Sequence, residues 1–77
     1  MKNLVKTIVE PLVDKPEEID IREVEQENGA VVIELRVNEA DLGKVIGKQG
    51  RTARAIRTIL GAASVRKGKR LTLEIID

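Results

Sequence analysis

The residues best suited to bind a phosphate chain lie in one short glycine-rich stretch, residues 43–51. Its centre is the tetrapeptide Gly47-Lys48-Gln49-Gly50, which has a glycine on each side of a polar tip. Glycine has no Cβ, so a phosphate could approach the main chain at both ends of the tetrapeptide. A helix that begins directly after the second glycine would turn its free N–H groups and the positive end of its dipole towards this loop. The pattern predicts a loop between two helices that grips phosphates through its backbone.

Other glycine motifs that bind nucleotides fit this stretch poorly. The phosphate loop of nucleotide hydrolases needs four residues between its glycines and a hydroxyl after its lysine. Here Gly43 and Gly47 enclose three residues, and Gln49 follows Lys48. The dinucleotide-binding glycine pattern fails on spacing too. A helix-turn-helix that docks in DNA stays open as an alternative, although a first helix of about two turns built into a sheet domain suits that geometry less well.

The charges of the chain are divided unevenly along its length. The formal net charge is +1, but residues 1–41 carry five Lys and Arg against eleven Asp and Glu. Residues 42–73 carry nine Lys and Arg and no acid. Such a division indicates either one anion-seeking surface or a solvated helix face followed by a basic turn, and charge alone does not separate the two.

Several residue types are absent, and each absence excludes a class of site. The chain has no Cys, His, Phe, Tyr or Trp. Disulfides, thiolate metal sites, the commonest general base and aromatic stacking platforms are therefore excluded. Ser64 has no evident acid–base partner, and the pair Glu17 and Glu18 suits a solvated loop, so we expect no enzymatic activity, metal or cofactor. The sequence has no apolar run of membrane-spanning length and no secretory signal, so we expect a cytoplasmic protein.

The elements that must position the loop follow the order helix, strand, strand, helix, helix, strand. The clearest strand begins at Val31, because apolar and polar side chains alternate from there to Val37. Asn28-Gly29 is the strongest short signal for a hairpin, and Pro11 predicts a kink or an end in the first helix. The predicted helices are residues 2–13, 39–46 and 51–63, and the predicted strands are residues 19–26, 31–37 and 71–75.

These elements predict one α+β domain over residues 1–77, with a three-stranded mixed sheet and three helices packed on one face. Asn38 is the predicted cap of the helix before the loop, with Asp41 as the acid of a capping box. The wide apolar arc of the first helix favours core packing over a dimer interface through Val9 or Val13. Residues 65–70 read as a basic turn. The predicted buried stripe of the helix after the loop is Thr52, Ala55, Ile56, Ile59, Leu60 and Ala63.

The stretch from Gly43 through Ile56 resembles the signature of KH domains, in which a Gly-x-x-Gly loop clamps four backbone nucleotides. The element order resembles the type II, bacterial arrangement. Residues 8–17 and 46–53 are similar to the KhpA family of small bacterial KH-domain RNA-binding proteins. That resemblance implies RNA chaperoning or post-transcriptional regulation, control of cell elongation, and self-association or pairing with the larger KH-containing protein KhpB. Ala53 departs from the pattern, because KH domains often carry a larger aliphatic residue there.

We therefore expect the protein to bind single-stranded RNA without catalysis. The loop would grip the backbone, and aliphatic side chains beside it would form a groove for unstacked bases. The alternative is a protein-interaction or dimerisation module of KH shape that binds RNA weakly or not at all. The candidate RNA-binding residues are Gly47, Lys48, Gln49 and Gly50 in the loop, Lys44, Arg51 and Arg54 as added charge, and Leu42, Val45, Ile46 and Ile56 as groove walls.

Overall fold

The computed structural model describes residues 2–76 and confirms the predicted order of elements. A short 3₁₀ turn, Glu10–Leu12, follows the first helix, and another, Glu39–Asp41, leads into the second. The helices are α1 (Lys2–Val9), α2 (Leu42–Ile46) and α3 (Arg51–Lys67), and the strands are β1 (Asp20–Glu25), β2 (Val31–Arg36) and β3 (Leu71–Ile76). No helix within this part of the chain is both long enough and apolar enough to cross a bilayer.

The three strands form one mixed sheet in the order β1-β2-β3. β1 and β2 are antiparallel, and Asn28-Gly29 makes the predicted hairpin turn between them. Gly29 has φ 84°, and the Asn28 Oδ1 accepts a 2.9 Å hydrogen bond from the Ala30 N–H. β2 and β3 are parallel, because α2 and α3 carry the chain back across the sheet between them.

The core lies between one face of the sheet and the three helices. Ile33 and Leu35 of β2 are fully buried, and so are Val5 and Val9 of α1. Branched aliphatic side chains fill this layer, which is consistent with the absence of aromatic residues. Val13 is also buried, so neither Val9 nor Val13 presents the surface that a dimer interface through them would need. The first helix ends at Val9, two residues before Pro11, as the missing N–H of proline predicts.

The helix after the loop is longer than predicted and is turned differently about its axis. α3 continues past Gly61 to Lys67, so the basic turn predicted for residues 65–70 begins only at Gly68. The buried residues of α3 are Ala53, Ile56 and Leu60, whereas Ala55 and Ile59 are exposed. At 3.6 residues per turn, Ile59 lies about a quarter turn away from the buried line. The prediction of Ala55 and Ile59 as buried was therefore wrong.

Asp41 also differs from its predicted role. Asn38 does cap the helix start, since its Oδ1 accepts a 2.8 Å hydrogen bond from the Ala40 N–H. The Asp41 carboxylate, only 2% exposed, instead accepts hydrogen bonds from the backbone N–H groups of Asp14 (3.1 Å) and Lys15 (3.0 Å). A buried carboxylate needs such donors, and these two belong to the loop after α1. Asp41 thus ties that loop to the start of α2.

Candidate nucleic-acid interface

The Gly-x-x-Gly loop is held in a backbone conformation that only glycine-rich sequences adopt readily. Three of its four residues have positive φ: 79° at Gly47, 58° at Gln49 and 76° at Gly50. The Gly47 N–H closes α2 by donating to the Gly43 carbonyl (2.9 Å), and the Gly50 N–H donates to the Gly47 carbonyl (3.0 Å). The loop is therefore a tight, internally bonded turn rather than a free linker.

The two loop glycines are required for different reasons. A Cβ on Gly47 would lie 2.7 Å from the backbone N of Thr52 and would also overlap its hydroxyl. That separation is shorter than real side chains allow, so the start of α3 packs directly on Gly47. A Cβ on Gly50 would meet nothing within 4 Å. The surface over Gly50 is consequently open, as a backbone that receives a ligand must be.

The start of α3 faces this open surface. Gly50 is the residue before the helix, and no side chain caps the first turn of α3. The Arg51 N–H donates to the Lys48 carbonyl. The N–H groups in the first turn of any α-helix have no acceptor in the preceding turn of the same helix, so they are the donors that a ligand at a helix start can use. Lys48, Gln49, Arg51 and Arg54 are all exposed around this point. Free donors, the helix dipole and these cations together favour an anion here.

A groove of about 420 Å³ begins at Gly50 and runs between the helices and β3. Leu42 and Ile46 form one side, and Ala53 is part of the α3 side. The small side chain of Ala53 is 3% exposed and leaves this part of the groove free of bulk. The remaining lining residues are Arg57 of α3 and Leu73, Glu74 and Ile75 of β3.

The β3 side of the groove is the open edge of the sheet. β3 pairs only with β2 within residues 2–76. The Arg70 carbonyl accepts from the Val31 N–H (2.8 Å) on the β2 side, whereas the Leu71 N–H points away from β2 and donates to Ser64 Oγ (2.8 Å). Because alternate residues of a strand direct their N–H and C=O groups to the same side, Leu73 and Ile75 direct theirs into the groove. The groove thus offers backbone donors and acceptors beside its aliphatic surface.

The structure separates the candidate site residues into two layers. The loop residues, Leu42 and Ile46 lie at the surface beside the groove, and Ile46 is 37% exposed. Val45 and Ile56 are 0% and 1% exposed and lie in the core beneath it. Their side chains support the groove walls from behind and present no surface to a ligand.

Lys44 is exposed on α2, but its charge is already paired. Its Nζ contacts Asp14 Oδ2 and lies 3.4 Å from Asp41 Oδ1. The hydrogen bond to Asp14 raises the pKa of Lys44 above its usual value against the opposing effect of desolvation, and Asp41 adds to the rise. Burial acts to raise the pKa of Asp41. The N–H groups of Asp14 and Lys15 and the charge of Lys44 outweigh this effect of burial, and the pKa of Asp41 therefore lies below its usual value.

Sequence reasoning missed Arg57 and the three β3 residues that line the groove. Arg57 is one of several exposed arginines of α3, and nothing in its local sequence distinguishes it from the others. The β3 residues lie more than 20 positions after the loop, and no local pattern in the chain brings them together. Among residues 2–76, no three acidic side chains converge into a group that could hold a metal ion.

Comparison with known proteins gives a consistent result over the full length. Residues 2–75 match the family described as KhpA/KhpB, KH domain. The RNA-binding protein KhpA of Clostridium perfringens is 50% identical over 76 residues, which cover 99% of this chain and 100% of that protein. KhpA of Clostridium acetobutylicum is 51% identical over the same shares of both chains. KhpA of Aquifex aeolicus is 52% identical over 77 residues, which cover 100% of this chain and 96% of that protein.

Proposed function

The chain belongs to the KhpA/KhpB family of KH domains, and on that premise we propose that it binds single-stranded RNA in the cytoplasm without catalysing a reaction. Relatives about half identical over their whole length are named RNA-binding proteins, which supports this proposal. The observation that carries it is the open backbone at Gly50, where an uncapped helix start adjoins a groove of about 420 Å³.

The loop grips the RNA backbone. A phosphate lies against Gly50, where no Cβ intervenes, and accepts hydrogen bonds from free N–H groups at the start of α3. Lys48, Arg51 and Arg54 add positive charge around it. About three or four phosphates neutralised in this way give a log–log dependence of affinity on salt with a slope near −2 to −3.

The bases lie in the groove beside the loop. Leu42 and Ile46 contact the flat faces of unstacked bases, and the open edge of β3 meets their hydrogen-bonding edges through the backbone of Leu73 and Ile75. Aliphatic walls and backbone groups take the place of the aromatic platforms that the chain lacks. The loop therefore provides sequence-independent grip, and the groove decides which bases fit.

Replacing both tip residues by acids tests the clamp. The double variant Lys48→Asp, Gln49→Asp places two carboxylates beside the phosphate path, and we expect RNA binding to be lost while the thermal unfolding curve stays cooperative. The matched control is Lys6→Asp, Gln26→Asp, which makes the same change of charge at exposed residues of α1 and the hairpin. A folded loop variant that binds RNA as tightly as the control would refute the clamp.

The biological role that we propose is that of an RNA chaperone or post-transcriptional regulator that acts with a larger KH-containing protein of the KhpB kind. A module that holds about four nucleotides gains affinity when a second module binds the same strand. RNA titrations with and without such a partner test this arrangement. The partner should increase the affinity for long RNA, which both proteins can bind at once, and leave the affinity for short RNA unchanged.

A second candidate function is self-association, and one surface favours it. Leu4 of α1 and Ile59, Ala62 and Ala63 of α3 line a shallow apolar depression of about 530 Å³ beside Arg66 and Lys67. Ile59 is 41% exposed there, so the depression offers a large aliphatic side chain that a second copy of the chain can cover. Sedimentation of the wild type and of Ile59→Asp tests this interface. If the chain dimerises through the depression, the wild type sediments as a dimer and the variant as a monomer.

A further inference from the structure

A second group of cations lies at the far end of α3. Arg66 and Lys67 are in its last turn, and Lys69 and Arg70 follow directly before β3. All four side chains are exposed, and we call them the distal basic cluster. The 17 residues of α3 rise about 1.5 Å each, so this cluster lies about 24 Å from the Gly-x-x-Gly loop. It is therefore a separate surface and not an extension of the loop.

These cations are not needed to finish the helix. The Gly68 N–H donates to the Ser64 and Val65 carbonyls, and the Lys69 N–H donates to the Ser64 carbonyl at 3.2 Å. Backbone groups thus satisfy the end of α3, as in other helices that end in a left-handed glycine. Of the four cations in the cluster, only Lys69 has a carboxylate of residues 2–76 within 4 Å of its charged group: Glu25, at 3.9 Å, and both side chains are largely exposed. The other three have no ion-pair partner in the part of the chain that the structure describes.

The groove lies between the two basic regions. It begins beside Gly50 and extends along β3 at Leu73, Glu74 and Ile75. Arg70 immediately precedes β3, three residues before Leu73, which corresponds to about 10 Å along the strand. A chain that is held at the loop and leaves the groove towards the start of β3 therefore reaches the distal basic cluster.

We propose that the distal basic cluster binds phosphates of the same RNA strand, beyond the nucleotides held in the groove. The inference rests on the proposed function, which puts that strand in the groove. The surroundings of Lys69 and Arg70 suit a phosphate backbone better than a protein partner, because the depression beside them is lined otherwise by residues 28–30 and Gly68, with no large apolar anchor. Arg66 and Lys67 instead border the apolar depression at Ile59.

The distance between the loop and the distal basic cluster sets the length of RNA that can contact both. A strand of four nucleotides fills the clamp alone. At the shortest spacing, with bases stacked about 3.4 Å apart, about seven phosphates cover the distance between the loop and the cluster, and an unstacked strand covers it with fewer. An RNA of twelve nucleotides therefore reaches both surfaces, whereas one of four does not.

The experiment measures affinities for four- and twelve-nucleotide single-stranded RNAs of mixed sequence at several salt concentrations. The variant is Lys69→Gln, Arg70→Gln, which neutralises the two cations of the cluster that lie outside the apolar depression at Ile59. Its matched control is Lys6→Gln, Lys15→Gln, two exposed cations outside both basic regions. The charge-preserving variant Lys69→Arg, Arg70→Lys should behave as the wild type. For each protein we take the ratio of its affinities for the twelve- and the four-nucleotide RNA. A longer RNA offers more positions at which any of these proteins can bind, and comparing the ratios between proteins removes that common gain.

We expect the cluster variant to bind the short RNA as the wild type does and to lose affinity only for the long RNA. Loss of two phosphate contacts makes its salt slope for the long RNA shallower by about 1.4, which corresponds to about a sevenfold difference over a fourfold change in salt. An unchanged ratio, or an equal loss in the Lys6, Lys15 control, would overturn the proposal. If the long RNA depends on the cluster but not on Lys48 and Gln49, the clamp fails and the cluster stands. If no RNA binds, both fail.

Discussion

The two loop glycines allow a matched test of the structural account, because alanine at each should fail in a different way. Gly47 has φ 79° and ψ 167°, a region that is essentially restricted to glycine and costs other residues about 1–3 kcal/mol. An alanine there must also push its Cβ away from the Thr52 N, which lies 2.7 Å from the ideal Cβ position. Because this neighbour is helix backbone, the loop and the start of α3 would have to separate.

We therefore expect Gly47→Ala to cost at least about 3 kcal/mol, a large share of the stability of a small domain. At about 4–8 °C per kcal/mol for a domain of this size, Tm falls by about 12 °C or more. Gly50 has φ 76° and ψ 13°, an ordinary left-handed conformation with open space at the Cβ position. Gly50→Ala should cost only about 1 kcal/mol, so its Tm falls by about 4–8 °C.

Gly50→Ala should lose RNA affinity although it loses little stability. Gly50→Ala stays folded at 25 °C but places a methyl group where the phosphate approaches, so its RNA affinity falls although its circular dichroism spectrum is that of the wild type. Thermal unfolding and an RNA titration of both proteins provide the comparison. A Gly47→Ala protein as stable as Gly50→Ala would refute the packing argument, and unchanged RNA affinity in Gly50→Ala would refute the open backbone site.

Two further predictions concern the charges around Lys44. Asp14→Asn releases Lys44 from its exposed partner, so RNA affinity should rise by up to about fivefold at low salt with little change in stability. An affinity that does not rise would show that Lys44 does not face RNA. Since the pKa of Asp41 is lowered in the folded protein, the stability that its carboxylate contributes is present above the unfolded pKa of about 3.9 and is lost as pH falls through the folded value. Urea unfolding between pH 6 and pH 3 should show a steeper loss in the wild type than in Asp41→Asn, and parallel curves would contradict the role of Asp41.

The order of elements was predictable because each depends on a local pattern. Alternation from Val31 to Val37 predicts the strand, and Asn28-Gly29 predicts the turn before it. The end of α3 was not predictable in this way. Gly61 costs a helix about 1 kcal/mol, which the burial of Ile56 and Leu60 on the same helix offsets, and the glycine that ends α3 is Gly68, with φ 66°.

The site was predictable in part. Leu42 and Ile46 adjoin the loop in the chain, so their place beside the groove follows from sequence proximity. Arg57, Leu73 and Ile75 line the same groove only because β3 pairs parallel to β2 and passes next to α3. The same holds for Asp41, whose partners lie 26 and 27 residues earlier in the chain.

The sequence by itself determined the loop: glycine on both sides of a two-residue polar tip allows positive φ, and the helix that follows brings free N–H groups to it. It also determined the absence of aromatic platforms and of His and Cys chemistry. Only the tertiary structure decided what faces the loop and how far apart the cations lie. The parallel return of β3 supplies the open sheet edge, and 17 residues of unbroken helix separate the loop from the distal basic cluster. Long-range pairing and helix length depend on packing throughout the core, which no short stretch of the chain contains.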